Sequence, residues 1–317
     1  MSPLDQGRIP HVLEIAEFTP IDESWRKAYL AVGNFDGVHR GHQALVARLR
    51  ERAVQAGRPA LVLTFDPRPV EILRPAQAPP PLSWIERRIE LLLRAGADEV
   101  GVFRTGPWLL NLTAREFFDR VIRSQFDAQG MVEGPTFGFG RDRGGDATLL
   151  ARWCQEAGMS FEVVPPVEVD GLLVSSTQIR EALAQGRVEQ AARLLGQPHR
   201  IRGTVVPGAR RGATLGFPTA NLTGIAQVLP RHGVYAGHAY LPDGQTRPAA
   251  IHIGPNATFD ATEPTVEAHL LDFSGNLYGL PLQLDFLRAL RPTRRFDSVP
   301  ELLAQISADV AQVRQLL

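Results

Sequence analysis

The sequence is almost without lysine. Of its 34 basic residues, Lys27 is the only lysine and every other one is arginine. A Walker A loop needs Gly-Lys-Ser/Thr, and Lys27 is followed by Ala28, so a P-loop is excluded. The same scarcity speaks against a protein-kinase lysine and a Schiff-base lysine for pyridoxal phosphate. Any ATP chemistry must then run on histidine, arginine, hydroxyls and backbone N–H groups. Cysteine is equally scarce. Cys154 stands alone, which rules out a disulfide framework and a cysteine-built zinc site, and suits a reducing cytosol. Net charge is absent too, because 34 basic residues balance 34 acidic ones. No electrostatic footprint therefore points to nucleic acid or to a membrane surface. Residues 1–8 hold no apolar signal core, and no apolar run approaches a membrane span. A cytoplasmic protein with neither nucleic-acid nor membrane partners is expected; the sequence is silent on oligomeric state.

What is present is a chain of 317 residues, 44% hydrophobic, long enough for two domains with a core each. Across residues 29–174 short apolar runs alternate with amphipathic stretches. Strands are predicted over 29–32, 60–65, 99–103 and 130–133, and helices over 42–56, 85–95 and 114–124. Gly57 falls where a helix C-cap belongs, and Asp66-Pro67 stops the second strand. That order reads as a parallel α/β sheet covered on both faces. Two short helices follow near 177–184 and 188–195, and residues 196–198 (Gly-Gln-Pro) close the first half. From Ile201 the texture becomes alternating runs with Gly, Pro and Asp-Gly turns, and strands are predicted over 233–241, 248–253 and 265–273. This suggests a small barrel or sandwich. Ser298 and Glu301 form a capping box before Leu302, Ile306, Val310, Val313 and Leu317, which predicts a terminal helix packed on the barrel. The proline-rich stretch 76–81 reads as a surface lid or spacer.

The decapeptide Gly33-Asn34-Phe35-Asp36-Gly37-Val38-His39-Arg40-Gly41-His42 joins the first strand to the first helix. Ligands of open α/β folds bind at that sheet edge. Its glycines allow close backbone approach, and a helix start suits phosphate. His39 and His42 share one face of the first turn and can stabilise charge on transferring phosphates; a zinc site fits less well, for want of a third ligand. Residues 174–180, Val-Ser-Ser-Thr-Gln-Ile-Arg, pair Ser175 with Gln178 as a capping box, and a capped helix start with Arg180 one turn on also makes an anion site. In the second half, residues 208–222 are glycine-rich and basic. Thr219 and Asn221 point to one side of an extended segment, two neutral oxygens suited to Mg²⁺ bridged to phosphate. Alternation over 266–270 puts Glu267 and His269 on the face opposite Val266 and Leu270. A carboxylate there can take a proton from an attacking hydroxyl.

The decapeptide resembles the nucleotide-binding signature of the prokaryotic FAD synthetases, H-x-G-H nucleotidylyltransferases. Residues 64–69 (Thr-Phe-Asp-Pro-Arg-Pro), 137–146 and 174–180 are similar to that family's further motifs, in order. Residues 215–221 and 267–278 look like the riboflavin kinase signature, found fused behind FAD synthetase in bacteria. The resemblance implies a Rossmann-like nucleotidylyltransferase domain over 1–184 and a six-stranded antiparallel barrel with a terminal helix over 185–317. It implies riboflavin, FMN and ATP as partners, with Mg²⁺. In the first domain, Gly33, Asn34, Phe35, Gly41, Ser175, Ser176, Thr177 and Arg180 would bind ATP and its phosphates beside His39 and His42. Asp66, Thr136 and Phe137 would lie on the FMN side. In the second, Gly208, Arg211, Gly216, Pro218, Thr219 and Asn221 would hold MgATP, Glu267 would be the base, and Arg291 would lie near the flavin. Thr136 stands where the family usually has an acid or asparagine, Glu133 and Pro135 are unusual beside it, and His252 and Ala257 replace a common asparagine and proline. The implied activity is phosphorylation of riboflavin followed by adenylylation of FMN. Two readings stand beside it: a riboflavin kinase with a degenerate first domain, and a non-catalytic flavin or nucleotide sensor.

Overall fold

The computed structural model describes residues 12–16, 21–208, 212, 216–255 and 264–317. The chain forms two compact units. One contains residues up to Pro79 and from Ile85 to Val174; the other contains Pro80–Trp84 and Ser175–Leu317.

The first unit is built on six parallel strands: β1 (Val12–Ile15), β2 (Tyr29–Val32), β3 (Ala60–Asp66), β4 (Glu99–Arg104), β5 (Gly130–Glu133) and β6 (Ser160–Val163), in the order β1-β4-β3-β2-β5-β6. The central strands are nearly continuous apolar runs because both faces are covered. On one face α1 (Arg40–Ala56) and α2 (Ile85–Arg94) bury Val46, Leu49, Ile89 and Leu92 against Val62 and Val100. On the other, α3 (Phe117–Gln125), wound in wide π-type turns, and α4 (Ala147–Glu156) pack Phe118, Val121, Leu150 and Trp153 against Leu30, Leu63, Phe103 and Met131. Each such side chain, fully buried, contributes roughly 1.5–3 kcal/mol. Gly57 caps α1 in the left-handed region, φ 64°, as predicted. Strands β1 and β6 and helix α4 are additions to the sequence-based picture.

Between β2 and β5 the strand order reverses, and there the ladder fails early. Pairing of β2 with β5 ends at Leu30↔Met131, while β2–β3 pairing runs on to Val32↔Leu63 and β5–β6 pairing to Glu133↔Val163. The Val32 N–H left without a backbone partner donates instead to Glu133 Oε1, at 2.7 Å. Glu133 is 2% exposed, and burial pushes its carboxyl well above the usual carboxylate range.

In the second unit a closed antiparallel barrel runs in the order β7-β8-β11-β10-β9-β12, with β7 (His199–Val206), β8 (Ala220–Thr223), β9 (Gly233–Tyr240), β10 (Thr246–Pro255), β11 (Pro264–Leu270) and β12 (Pro281–Arg291). Small and large residues alternate in its interior, among them Ala249, Ala268, Ile251, Leu284 and Phe286. Helices α5 (Ser176–Ala184) and α6 (Val188–Leu195) precede it, and α7 (Val299–Leu316) follows. Helix α7 packs Val313 and Val310 near Ala236 and Leu271, and it also buries Asp309, which receives Arg291. Leu302 and Ile306 are half-buried, and Leu317, expected in this seam, is 40% exposed. No helix among the described residues is long and apolar enough to cross a membrane.

Glu133 gives a pH test. Its folded-state pKa lies above the unfolded value near 4.5, so between the two the native state holds the extra proton, and stability is lost as pH rises. Glu133→Gln keeps the acceptor for Val32 and removes the titration. Its melting temperature, measured against wild type from pH 4.5 to 8.5, is expected to match at the acid end and exceed wild type increasingly at the alkaline end.

Candidate functional site

The loop 33–42 leaves β2 at the point where β5 diverges. Its conformation is held from β3, from the turn after β3 and from the first turn of α1. Gly33 N–H donates to Leu63 O, and Thr64 Oγ1 donates to Asn34 O at 3.2 Å. Phe35 and Val38 have positive φ, 45° and 43°, with Gly37 between them. For a β-branched residue such as Val38 this is strained, and strain of that kind persists where the surroundings over-determine it, often at functional sites. Asp36, 3% exposed, accepts from Arg68 Nη1 at 3.1 Å, and Arg68 also holds Glu71 and the carbonyl of Pro79.

His39 is the N-cap of α1, its Nδ1 accepting from His42 N at 3.3 Å. The proton of neutral His39 therefore sits on Nε2. The two imidazoles stack with centroids 3.6 Å apart and 15° between planes, which confirms that the spacing places them together. Gly41 makes room for them, since a Cβ there would lie 3.3 Å from the His39 ring and 3.9 Å from Val174 O. Both rings stay neutral. Burial lowers His39 to about 4 against the opposing pull of Asp36, and burial, His39 and Arg88 together hold His42 well below its ordinary value. His42 Nδ1 is buried without a partner, an unmade hydrogen bond pointing to a ligand's place.

Asp66, at the end of β3, is half-buried, and burial raises its carboxyl against the attraction of Arg88. Phe137 stacks on Phe139 at 5.4 Å. Thr136 is exposed, and its carbonyl accepts from Arg143. Ser175, Ser176, Thr177 and Arg180 lie in the second unit. Ser175 caps α5 by accepting from Gln178 N at 3.2 Å, and Arg180 Nε donates to Pro80 O at 3.0 Å. The charged residues missed by sequence reasoning are Arg68, quoted there only as part of a motif, and Arg88. An arginine inside the apolar spacing of α2 was the signal for the second.

The barrel gathers the other candidates. Register pairs set Asn221 opposite Glu267, and Glu267 opposite His252, in one row across β8, β11 and β10. Directly opposed residues share a face, so Asn221 and Glu267 are brought together as expected. Gly208 lies against Asn221, where a Cβ would strike the amide. A Cβ on Gly212 would meet Phe217 O and come within 3.5 Å of Thr219 Oγ1. His269 bonds Pro218 O at 2.9 Å, which fixes the segment entering β8. Gly216 has φ 86°, a conformation that needs glycine. Arg211 lies outside the described residues, as does Ala257. Arg291 gives its Nε and Nη2 to Asp309 at 2.7–3.0 Å and lies 5.7 Å from the Phe296 ring centre. Asn221 and Glu267 thus share the outward face of the barrel, with Gly208 against Asn221, donors of the type that hold Mg²⁺ and phosphates.

Comparison with known families matches FAD synthetase to residues 21–178 and riboflavin kinase to residues 195–317. The bifunctional riboflavin kinase/FMN adenylyltransferase of Pseudomonas fluorescens is 41% identical over 292 residues, 92% of this chain and 93% of that protein. Its counterpart in Escherichia coli K12 is 35% identical over 286 residues, 90% of this chain and 91% of that one. A crystal structure described as a macrolide-efflux protein from Streptococcus pneumoniae matches with a TM-score of 0.85 at 32% identity, covering 96% of this chain and 99% of that one.

The cradle is testable by one methyl group. Gly208→Ala must displace the Asn221 amide. Conversion of riboflavin to FMN, followed by chromatography, is expected to slow by about tenfold or more, while conversion of added FMN to FAD stays at the wild-type rate.

Proposed function

The chain belongs to the bifunctional riboflavin kinase/FMN adenylyltransferase family, and we propose which of its residues carry each reaction. The protein phosphorylates riboflavin with ATP to give FMN, then transfers AMP from a second ATP to FMN, giving FAD and pyrophosphate. We assign adenylyl transfer to residues 1–184 and phosphorylation to residues 185–317. Residues 175–184 go with the first activity, although they cluster with the second unit, because Ser175, Ser176, Thr177 and Arg180 offer hydroxyls, helix N–H groups and a guanidinium for ATP phosphates.

The strongest support for the kinase assignment is the register pair Asn221↔Glu267. It sets a carboxylate directly beside a neutral oxygen. Glu267 takes the proton of the ribityl 5′-hydroxyl, the freed oxygen attacks the γ-phosphorus, and ADP departs. Thr219 Oγ1 and the Asn221 amide oxygen are the groups that would hold Mg²⁺, which when bound neutralises charge on the phosphates. Gly208, Gly216, Pro218 and Arg211 complete the ATP cradle, and Arg291 flanks the flavin.

In adenylyl transfer the phosphate of FMN is itself the nucleophile toward the α-phosphorus, so no side chain need attack. Gly33, Asn34, Phe35 and Gly41 shape the nucleotide loop, and Asp66, Thr136 and Phe137 face FMN. His39 presents its Nε2–H and His42 its neutral ring to the oxygens that gain charge, a task of position and charge stabilisation. The lone buried Cys154 suits a reducing compartment, and we place both reactions in the cytoplasm.

Two variants divide the chemistry. Glu267→Ala is expected to lower FMN formation by at least about a hundredfold while conversion of FMN to FAD continues. His39→Ala with His42→Ala is expected to do the reverse. Loss of both activities in a folded single-site variant overturns the assignment. A time course with riboflavin and MgATP is expected to show FMN rising and then giving way to FAD; FMN that accumulates unchanged would favour a degenerate first domain.

A further inference from the structure

Arg88 is a buried cation that neither reaction has yet used. It projects from α2, is 2% exposed, and among the described residues has no carboxylate within ion-pair distance. Its Nη1 donates to Phe65 O at 2.9 Å and to Thr64 Oγ1 at 3.3 Å, and its Nε is buried without a partner. A buried guanidinium left without a paired anion is strongly unfavourable for folding, so its retention calls for another reason. Thr64 supplies one. This threonine is wholly buried, and the hydroxyl that Arg88 reaches donates in turn to Asn34 O at 3.2 Å. Arg88, Thr64 and Asn34 therefore form a chain from helix to strand to loop 33–42. The loop's next anchor, Asp36 on Arg68, is two residues on.

We propose that Arg88 is a positioning residue for adenylyl transfer, bracing the 33–42 loop through Thr64 and standing behind it as a fixed positive charge. The proposal rests on the assignment of that loop to adenylyl transfer. Arg88 feels Asp36, Asp66, Arg68 and Glu71, and His42 feels both Arg88 and His39. With the cation removed, one of the causes that hold His42 low is gone, and His42 gains a proton at a higher pH than in wild type. A protonated His42 repels His39 and loses the neutral ring on which the site is built. Bracing and charge thus leave different kinetic marks.

The test uses the full chain, with riboflavin phosphorylation by the same polypeptide as the control for folding. In Arg88→Met, kcat for FMN to FAD is expected to fall about tenfold or more and to acquire an acid limb at a higher pH than any in wild type. Arg88→Lys keeps the charge without the fork, so it is expected to lose kcat but show no such limb. Thr64→Val cuts the brace alone and is expected to behave likewise. If Arg88→Met stays within about twofold of wild type at every pH, the proposal is overturned. A limb shared by the Met and Lys variants overturns the role of charge. Should Arg88→Met lose both activities, Thr64→Val and Arg88→Lys decide, and wild-type FAD formation in either overturns the brace. His39→Ala with His42→Ala separates the underlying assignment. FAD formation in that variant sinks the site itself, whereas an inactive double variant beside a wild-type Arg88→Met sinks only the role of Arg88.

Discussion

Where the strand order of a parallel sheet reverses, neighbouring strands part, and the site we propose for adenylyl transfer lies at such a point. Between β2 and β5 the ladder stops at Leu30↔Met131, which leaves the Val32 N–H facing a dry interior. An unmade hydrogen bond there costs about 1–3 kcal/mol. Glu133 fills the need across a separation of 101 residues. With that donor satisfied the strands can part, and the chain emerges from β2 where the sheet divides. The loop beyond it turns through two strained residues, Phe35 and Val38, and enters α1 with His39 as its cap. Strain, cap and ring stacking follow one another within a few residues, and the loop that carries them is anchored at Gly33, Asn34 and Asp36 by Leu63, Thr64 and Arg68.

The barrel meets a similar need differently. A closed antiparallel sheet has no parting strands, so its site depends on register. The row Asn221, Glu267, His252 exists because three adjacent strands align those positions on one face, while alternate residues Val266 and Ala268 fill the interior. A slip of one residue in β11 would send Glu267 inward and Val266 to the outer face. The core therefore fixes the chemistry. The tight fit of Gly208 against Asn221 adds the second dimension, across the strand ends.

Much of this was legible in the sequence, and the limits of legibility have a physical pattern. The α1 cap, the His39–His42 pairing and the shared face of Asn221 and Glu267 depend on periodicity within a strand or helical turn, or on one strand pair. Glu133 on Val32, Arg88 on Thr64 and Arg68 on Asp36 join residues from 24 to 101 positions apart, and no local period reports such meetings. Helix α4 is a different case, because Leu150, Trp153 and Cys154 already stood at helical spacing. The terminal helix shows the converse error. Apolar spacing put Leu317 in the seam, yet the buried stripe of α7 contains Asp309, held there by Arg291. Hydrophobic periodicity has no term for a carboxylate buried with its partner.

The scarcity of lysine shapes how charge is handled at the nucleotide loop. A buried lysine can shed its proton, and its charge then varies with surroundings; arginine stays charged even where burial lowers its pKa. The first site uses arginine where constancy is needed, with Arg68 and Arg88 fixed behind the loop, and imidazoles held neutral where a ligand must be met. Burial is the larger cause of that neutrality, and the neighbouring cation reinforces it at His42. Desolvation and a fixed charge thus act in the same direction on His42, whereas at His39 the carboxylate of Asp36 pulls against burial. The paired rings consequently differ in their electrostatic surroundings although they stack at 3.6 Å. Imidazoles so arranged stay neutral at neutral pH, and the fixed charge behind them is arginine's rather than lysine's.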